Sequence, residues 1–372
     1  MKIVIAIDKF KGSATSSQLA HSIAQAIEDA LPNATIVTVP IADGGDGTMQ
    51  CFKSIIGERG KTCQVSVPAP LQQLPHVNAE YVVDGDTAYM DLATASGLAL
   101  VPNELRDVMN ASTLGTGMMI AHAIEHGATH IVLGLGGSAT NDGGMGILSA
   151  LGFRFLDKDG NTLPPFPTSL CDIANIDSSN VDDKVMHAHF TLLTDVDNPL
   201  CGDNGAAHVF APQKGATPEQ VKLLDDGLRH FAKFMPPHVP LMPGAGAAGG
   251  VTAGMMALLN ATIKPGIDTL LELADFDNII SDANLIITGE GSIDEQTMHG
   301  KAPAGVLKAA QQQGIPVIAL CGSIAPGTDT SKMGFYKVIP VTPPDMPLEH
   351  AMNTATTLNN VNAAIHTITK YL

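Results

Sequence analysis

The sequence of 372 residues contains no tryptophan, and aromatic residues make up only 4% of it. A hydrophobic core must therefore be built mainly from aliphatic side chains, which the 45% hydrophobic content supplies. Basic residues are also scarce, since 20 lysines and arginines stand against 37 aspartates and glutamates, a formal charge of −17 at pH 7. Nucleic acids and anionic membranes are bound through basic surfaces, so neither is expected as a partner.

Several sequence signatures are missing as well. The five cysteines include no Cys-x-x-Cys pair, which argues against a disulfide framework and a zinc site and favours a reducing compartment. No secretory signal is visible at Met1 to Asp8. A charge-free stretch at 241–263 reaches transmembrane length, but its five glycines predict a turn leading into a buried helix. The expected location is therefore the cytoplasm.

The two ends of the chain alternate between strand and helix patterns. A strand is predicted over 2–7, a helix face at Leu19, Ile23 and Ile27, and a further strand over 34–41. The last third shows the same alternation, whereas short strands separated by turns occupy the middle. This pattern predicts an α/β protein of two domains. Residues 1–60 and 281–372 would form a flavodoxin-like (Rossmann-like) parallel sheet with helices on both faces, interrupted by a mixed α/β domain at 61–280.

Glycine is plentiful, with 37 residues, and it clusters with acidic residues after predicted strands. In parallel α/β sheets, ligands bind beyond the carboxyl ends of the strands, so these loops are the candidate sites. Neither a Walker A sequence nor a dinucleotide-binding G-x-G-x-x-G after the first strand is present. The four glycine-rich loops are residues 8–13, 43–48, 136–144 and 289–294.

Glycine beside a carboxylate suits phosphate chemistry. Glycines let backbone N–H groups converge on phosphate oxygens, while carboxylates hold Mg²⁺ or accept a proton from an attacking hydroxyl. Any single loop is also compatible with an ordinary turn, and Asp142 is equally suited to starting the helix that follows. Four such loops together favour a phosphate and magnesium site.

Other charged residues offer further candidates. Lys11, Lys214 and Lys301 each adjoin a glycine and are interpreted either as anion ligands or as solvated lysines. Asp195 ends the strand predicted over 191–195 and is the better-placed general base of its loop. Three histidines spaced four residues apart suggest a metal, but surface helix and turn positions explain them equally simply; they are His122, His126 and His130.

The loops in this order resemble the glycerate kinase family of the bacterial glycerate 2-kinase type, over essentially the whole chain. The most specific segment is the nine-residue Gly-Gly-Ser-Ala-Thr-Asn-Asp-Gly-Gly at 136–144. The other segments that carry the resemblance are residues 10–13, 42–45, 195–200, 212–216, 243–250 and 287–291.

The resemblance implies ATP-dependent phosphorylation of D-glycerate, at the 2-hydroxyl, to give 2-phosphoglycerate and ADP, with Mg²⁺ as metal. It also implies a two-domain fold with the active site in the cleft between the domains. The catalytic residues would be Asp195, Lys11 and Asp43, and the metal ligands some of Asp43, Asp46 and Asp142. Binding of nucleotide phosphates would involve Gly136, Gly137, Ser138, Asn141, Gly289, Glu290 and Gly291, and binding of glycerate Asp8, Lys214, Asp294 and Lys301.

The chain departs from the family pattern at a few positions. Ile7 and Lys9 stand where proline and serine are usual, Asp46 replaces a glutamate, and Ser292 occupies a position where arginine is common. A missing arginine removes a bidentate ligand for phosphate or carboxylate, and Lys9 is the candidate replacement for its charge.

Other functions remain open. They are a kinase of another small hydroxy acid, a glycerate kinase that forms 3-phosphoglycerate, and a non-catalytic acid-binding regulator. Residues 44–48 also resemble the nucleotide loop of NAD kinases, diacylglycerol kinases and phosphofructokinases, which leaves the loops at Gly136 and Gly289 unexplained. The oligomeric state is not predicted.

Overall fold

The computed structural model describes residues 1–45, 47–298 and 300–369. The strands are β1 (Lys2–Ile5), β2 (Thr35–Thr38), β3 (Lys61–Val67), β4 (Val77–Asp84), β5 (Thr87–Asp91), β6 (His130–Gly134), β7 (Arg154–Leu156), β8 (Asn175–Asp177), β9 (His189–Leu193), β10 (Thr262–Lys264), β11 (Leu285–Ile293), β12 (Val317–Ile324) and β13 (Lys337–Pro340). The helices are α1 (Ser16–Ala30), α2 (Thr48–Ile56), α3 (Ala93–Ser96), α4 (Leu114–Glu125), α5 (Met145–Ala150), α6 (Asp183–His187), α7 (Ala206–Phe210), α8 (Pro218–Phe231), α9 (Ala247–Leu259), α10 (Gly266–Leu273), α11 (Phe276–Ile280), α12 (Ala302–Gln312), α13 (Leu348–Ala351) and α14 (Thr354–Thr369). Strands and helices alternate in both compact units, which confirms the predicted α/β class.

The first compact unit comprises residues 1–43, 50–56 and those from Pro265 onward. Its sheet has the order β13-β12-β11-β1-β2, and every neighbouring pair is parallel. Side chains alternate across β1, so Ile3 and Ile5 pack with α1 and α14, whereas Val4 packs with α10 and α12. Helices therefore cover both faces of this sheet, as the strand and helix alternation predicts.

The second compact unit comprises residues 44–49 and 57–264. Its main sheet has the order β10-β9-β6-β5-β4-β3, in which β10, β9, β6 and β5 are parallel and β3 and β4 are antiparallel. A separate antiparallel pair is formed by β7 and β8. The mixed sheet agrees with the short antiparallel strands predicted for the middle of the chain, although β5 is also parallel to β6.

The boundary between the units lies earlier in the chain than residue 281, which the sequence predicts. Residues 265–280, which contain α10 and α11, belong to the first unit. The reason is packing, because Ile267, Leu271 and Phe276 share an apolar cluster with Val4. Residues 44–49 and 57–60 likewise belong to the second unit rather than the first.

Strand β11 is longer than predicted. It continues through Gly289, Glu290 and Gly291, which the sequence predicts as a loop, and pairs with β12 as far as Ile293. A Cβ on Gly289 would lie 2.0 Å from the carbonyl oxygen of Leu320, so this glycine permits a close approach between strands. Gly289 is therefore required by the packing of neighbouring strands and not by a turn.

Two helical predictions are tested directly. The sequence Thr-Pro-Glu-Gln at 217–220 predicts a helix that starts with Thr217 as N-cap and Pro218 in the first position. Helix α8 has the matching capping box, in which Thr217 and Gln220 each satisfy a backbone N–H of the other. The glycine-rich segment leads into the buried helix α9, after left-handed backbone at Ala248, Gly249 and Gly250. Within the described residues, no helix is long and apolar enough to cross a membrane.

Candidate active site

The first unit contains a cavity of about 550 Å³ at the carboxyl ends of β1, β11 and β12. Carboxylates, lysines and apolar side chains all contribute to its lining. Seven of the residues predicted for the site lie here, which are Asp8, Lys11, Asp43, Glu290, Gly291, Asp294 and Lys301. The loop after β1 and the predicted Gly289 loop are therefore brought together.

Asp8 is the most perturbed carboxyl group of this cavity. It is 6% exposed, and its Oδ1 accepts a hydrogen bond of 2.7 Å from the backbone N–H of Lys9. Burial raises the pKa of Asp8 to about 7, and the negative charges of Asp43 and Glu290 add to the shift. A carboxyl group with this pKa exchanges protons readily near neutral pH, which suits acid–base chemistry.

Glu290 and Lys301 form the centre of a second charged group. The Lys301 ammonium lies 3.4 Å from Glu290 Oε2 and 3.5 Å from Asp294 Oδ1. Burial raises the pKa of Glu290, although Thr297 and Lys301 oppose the shift by hydrogen bonding. Glu290 Oε1 is buried without a hydrogen-bond partner among the described residues. Lys301 therefore neutralises two carboxylates, and is less free to bind an anion than its glycine neighbour suggests.

The loop between β1 and α1 presents Lys11 to solvent. Gly12 has φ +78°, a left-handed conformation that turns the chain back at this point. A Cβ on Gly291 would lie 3.2 Å from the Lys11 backbone nitrogen, so a glycine is needed for the loop to approach β11. The glycines here bring the Lys11 backbone against the strand that carries Glu290.

In the second unit, the Gly136 loop follows β6 and contacts residues 44 and 45. The Gly136 N–H donates a 3.1 Å hydrogen bond to the Gly44 carbonyl, and a Cβ on Gly136 would lie 2.1 Å from Gly45 Cα. The Gly137 carbonyl accepts a 2.7 Å hydrogen bond from the Leu98 N–H. The Gly136 N–H is thus engaged by the protein itself, which leaves it unavailable for the phosphate contact predicted from the sequence.

Lys214 is buried, not solvent-facing. Its ammonium donates hydrogen bonds of 2.8 Å to Ser138 Oγ and 2.7 Å to the Thr140 carbonyl, and the residue is only 3% exposed. Burial lowers the pKa of Lys214 to about 7, opposed by the negative charge of Asp142. The flexible anion ligand that the sequence suggests is instead a fixed support for the 136–142 loop.

Asp142 and Asn141 are both fully buried, but their side chains differ in hydrogen bonding. Asp142 accepts bonds from the N–H groups of Thr113, Gly144 and Gly146 and from the Thr113 hydroxyl, at 2.8 to 3.2 Å. Four donors occupy its oxygens, which disfavours metal binding. The N-cap of α5 is Gly144 and not Asp142, so Asp142 fixes the loop just before the helix without capping it. Asn141 has neither side-chain atom bonded to a residue that the structure describes. A buried amide of this kind is expected to bind water or a ligand.

Asp195 lies in the loop after β9, which ends at Leu193 and not at residue 195 as predicted. Leu193 pairs with Gly134 of the parallel strand β6, and the Leu135 N–H donates to the Leu193 carbonyl at 3.1 Å. Asp195 and the Gly136 loop therefore leave neighbouring strands at the same edge of the sheet. The side chain is half-buried, so a polar ligand at this edge could reach it.

The described residues contain no group of three histidines, cysteines or carboxylates close enough to hold a metal ion. His122 pairs with the Tyr81 hydroxyl, and His130 with the Thr191 hydroxyl, which fits their interpretation as structural histidines. Asp46, predicted as a metal ligand, lies outside the described residues. Mg²⁺ commonly takes only one or two protein carboxylates beside substrate phosphates, and the neighbouring Asp8 and Asp43 are a pair that fits.

Some cavity residues were not found from the sequence. The sequence predicts a strand over 316–321, and Gly322 and Ser323 continue β12 beyond it; the pattern of glycine beside a polar residue could have identified them. Thr297 supports the cavity residue Asp294 from outside the lining: it is fully buried and exchanges two 3.0 Å hydrogen bonds with Asp294. The apolar lining of the cavity, Met346, Leu348 and Met352, carries no motif at all.

A test of the buried Lys214 uses its replacement by methionine. Because its pKa is lowered in the folded chain, wild type folds with release of a proton between about pH 7 and the ordinary lysine pKa. Wild-type stability thus gains with rising pH, by up to about 1.4 kcal/mol per pH unit, and Lys214→Met should lack this gain. Urea unfolding of both proteins at pH 7, 8 and 9 measures the difference. If the difference in unfolding free energy between wild type and Lys214→Met does not change with pH, Lys214 is charged when buried.

Comparison with known proteins identifies the family of this chain. The model of the glycerate kinase family matches residues 3–372. A glycerate kinase of Halalkalibacterium halodurans is 43% identical over 357 residues, covering 94% of this chain and 93% of that protein. A glycerate 2-kinase of Escherichia coli K12 is 43% identical over 330 residues, covering 87% of this chain and 86% of that protein. A crystal structure assigned as glycerate kinase 2 of Salmonella typhimurium LT2 superposes with a TM-score of 0.83 at 37% identity, over 100% of this chain and 98% of that one. This chain belongs to the glycerate kinase family.

Proposed function

We propose that this glycerate kinase transfers the γ-phosphoryl group of ATP to the 2-hydroxyl of D-glycerate, producing 2-phosphoglycerate and ADP. The observation that carries the proposal is the cavity of the first unit, where Asp8, Asp43 and Glu290 meet three lysines at the carboxyl ends of parallel strands. Carboxylates and lysines in one cavity suit a phosphate ester accompanied by a divalent cation. The name of the Escherichia coli relative supports the choice of the 2-hydroxyl.

The reaction needs a group that accepts the proton of the attacking hydroxyl. Asp195, half-buried in the loop after β9, is the proposed base. Asp8 is the alternative, because its pKa of about 7 lies close to the value at which a base works best at neutral pH. Asp195→Asn tests the first assignment directly. Because Asp8 is also a proposed Mg²⁺ ligand, a loss of activity in Asp8→Asn would not by itself identify it as the base.

The lysines of the cavity would neutralise charge on the transferred group. The exposed Lys11 is the one best able to move onto a phosphate, whereas Lys301 would have to leave Glu290 and Asp294. Asp8 and Asp43 are the residues that would hold Mg²⁺, and the ion would supply positive charge to offset that of the phosphates. Burial is the main cause of the raised pKa of Asp8, and the negative charge of Asp43 adds to it. In the second unit, Asn141 is the proposed polar contact of the 136–144 loop, because its amide has no partner among the described residues.

One assay tests the function and its nearest alternatives. The protein is incubated with ATP, Mg²⁺ and D-glycerate, and the product is passed to enolase, which accepts 2- but not 3-phosphoglycerate. Signal from enolase alone supports the proposal, whereas signal only after phosphoglycerate mutase is added identifies a 3-kinase. Other hydroxy acids tested in parallel report the substrate class. Failure to form any phosphorylated acid, with ATP still bound, would support the non-catalytic regulator instead.

Replacing Ser292 tests whether an arginine at this position would improve substrate binding. It is exposed on the lining of the cavity that also contains Lys9, so an arginine here would add a bidentate anion ligand. We expect Ser292→Arg to lower the KM for ATP or for glycerate by about threefold or more. Steady-state kinetics with each substrate varied gives the result, and Ser54→Arg on α2 is the control outside the cavity. Unchanged KM values for both substrates would reject the idea that an arginine at this position binds a substrate anion.

A further inference from the structure

The main sheet of the second unit ends in a long strand whose outer side is open. Strand β3 is the last in the order β10-β9-β6-β5-β4-β3, and β4 pairs with all seven of its residues. Among the described residues, β3 has no second neighbouring strand. Thr62, Gln64 and Ser66 are exposed. An open edge of this kind is a template for pairing with another chain.

The neighbouring strands show which backbone groups of β3 point outward. Gly85, with φ +63°, opens the two-residue turn between β4 and β5, so the closing pair Asp84 and Thr87 is a hydrogen-bonded one. The Leu92 N–H agrees with this alternation, because it donates to Gly134 on the other side of β5. Odd-numbered residues of β4 therefore bond to β3, through its own odd-numbered residues. The backbone groups left pointing outward are those of Thr62, Gln64 and Ser66, and no hydrogen bond joins them to any part of the described chain.

This edge lacks the devices that usually prevent pairing, which are charges, prolines and bulges. The only charge of β3 is Lys61 at its first position, Pro68 comes after its end, and its register with β4 is continuous. The other outer strands of the two main sheets are shorter, since β10 has three residues and β2 and β13 have four each. Strand β3 is therefore the outer strand best suited to pairing.

The sequence of β3 is complementary to a second copy of itself. A two-fold axis at its central residue, Gln64, would bring the outward backbone groups of both copies together in about six hydrogen bonds. Side chains opposite each other in an antiparallel pair lie on the same face, and here they match in character. The pairs across the axis would be Gln64 with Gln64, Thr62 with Ser66, and the half-buried Cys63 with the half-buried Val65.

Charge restricts where two copies of this chain can meet. The formal charge of −17 means that most contacts between copies would oppose carboxylates. Strand β3 has no acidic residue, and its Lys61 would lie opposite Val67 of the second copy. Glu80 pairs with Gln64 on β4, but the two Glu80 residues would be three strand spacings apart, about 14 Å, where salt screens their repulsion.

We propose that two copies of this chain associate through β3, antiparallel and centred on Gln64, so that two six-stranded sheets become one continuous sheet. The assembly closes at two copies, because both use the same edge and the opposite edge, β10, has only three residues. A pair of short strands is a small interface, so we expect a Kd of about 1 to 100 µM. No residue proposed for catalysis takes part, so this inference does not depend on the proposed function.

The first test removes one outward N–H group. Proline is tolerated in an edge strand where its nitrogen faces solvent, so Gln64→Pro should keep the bonds to β4 while blocking the second copy. Sedimentation equilibrium of the full chain, from about 1 to 300 µM, gives the Kd of wild type and variant. We expect Gln64→Pro to raise the Kd at least about tenfold. Thr35→Lys, on the exposed edge strand β2, is the control and should leave the Kd unchanged.

A second test uses the position of Gln64 on the proposed axis. Gln64→Lys and Gln64→Glu each place like charges directly opposite each other, which should raise the Kd about tenfold or more at low salt and less at high salt. An equimolar mixture of the two variants pairs opposite charges and should dimerise at least as tightly as wild type. Dimerisation of the mixture also shows that both variants are folded.

A crosslink tests the register of the two strands. Cys63 and Val65 of the second copy would form a non-hydrogen-bonded pair with Cα atoms about 4.5 Å apart, which is within reach of a disulfide. Val65→Cys oxidised with diamide should therefore give a covalent dimer on a non-reducing gel. The same variant carrying Cys63→Ser should give none.

Several results would overturn the proposal. They are a wild-type protein that stays monomeric over the whole concentration range, a dimer that Gln64→Pro leaves intact, and charged variants that self-associate as tightly as their mixture. Assembly beyond two copies would contradict the closed pairing, and a Val65→Cys protein that forms no covalent dimer would contradict the register. Because none of these measurements involves turnover, failure of the phosphoglycerate assay would leave them unaffected.

Discussion

Replacing Asp195 with asparagine should lower kcat for glycerate phosphorylation by about 10²- to 10⁴-fold. The amide has nearly the same shape as the carboxylate, but it cannot accept the proton released when the hydroxyl attacks. Asp195 lies half-buried beyond the end of β9, at the same sheet edge as the Gly136 loop. The KM values should change much less than kcat, since the proposed role is in the chemical step.

The neighbouring Asp197 supplies the control for this experiment. It is an exposed carboxylate in the same loop, so Asp197→Asn changes the loop charge equally and should retain wild-type kcat. Thermal unfolding of both variants checks that the fold is kept. If Asp195→Asn stays within a few-fold of wild type, Asp195 is not the base.

Replacing Gly136 with alanine should both destabilise the protein and abolish most of its activity. The new Cβ would lie 2.1 Å from Gly45 Cα and 3.1 Å from the Gly44 carbonyl oxygen. These neighbours are backbone atoms, so one of the two glycine loops must move. We expect a loss of unfolding free energy of about 3 kcal/mol, as for other overpacked sites. Urea unfolding and kcat measured on the same preparation give the two effects.

Gly134→Ala is the matched control two residues earlier in the chain. A Cβ there would meet its nearest atoms at 3.4 Å, which is close to ordinary contact. Its cost should therefore stay near or below about 1 kcal/mol, with most of the activity retained. Equal stability of the two variants would show that the contact between the Gly136 loop and Gly45 is not tight in the folded protein.

The strand-end loops show how far sequence reasoning reached towards the site. Asp8, Asp43 and Glu290 each follow or end a predicted parallel strand, Lys11 lies in the loop after the first one, and all four line one cavity. The sequence brings them together because the carboxyl ends of parallel strands lie at one edge of a sheet. The roles of individual residues in catalysis stay predictions, as do the magnesium ligands and the cytoplasmic location.

The apolar residues of the cavity show where such reasoning stopped. Leu348 and Met352 carry no motif, and their helical spacing is equally typical of a buried face. They line the cavity only because the fold brings them close to residues of β11 and β12. Lys214 illustrates the same limit, because a lysine beside a glycine gives no indication that its ammonium will be buried against Ser138 and Thr140.

The sequence by itself determined the α/β class, the helix start at Thr217, the glycine-rich loops after β1 and β6, and the family. These features depend on local periodicity, capping and contiguous motifs, which are written in neighbouring residues. The tertiary structure alone decided that β11 continues through Gly289, that Asp142 is saturated by four donors and that Lys214 is buried. Each of these depends on atoms supplied by segments distant in the chain, and burial, pKa and hydrogen-bond occupancy follow from that packing.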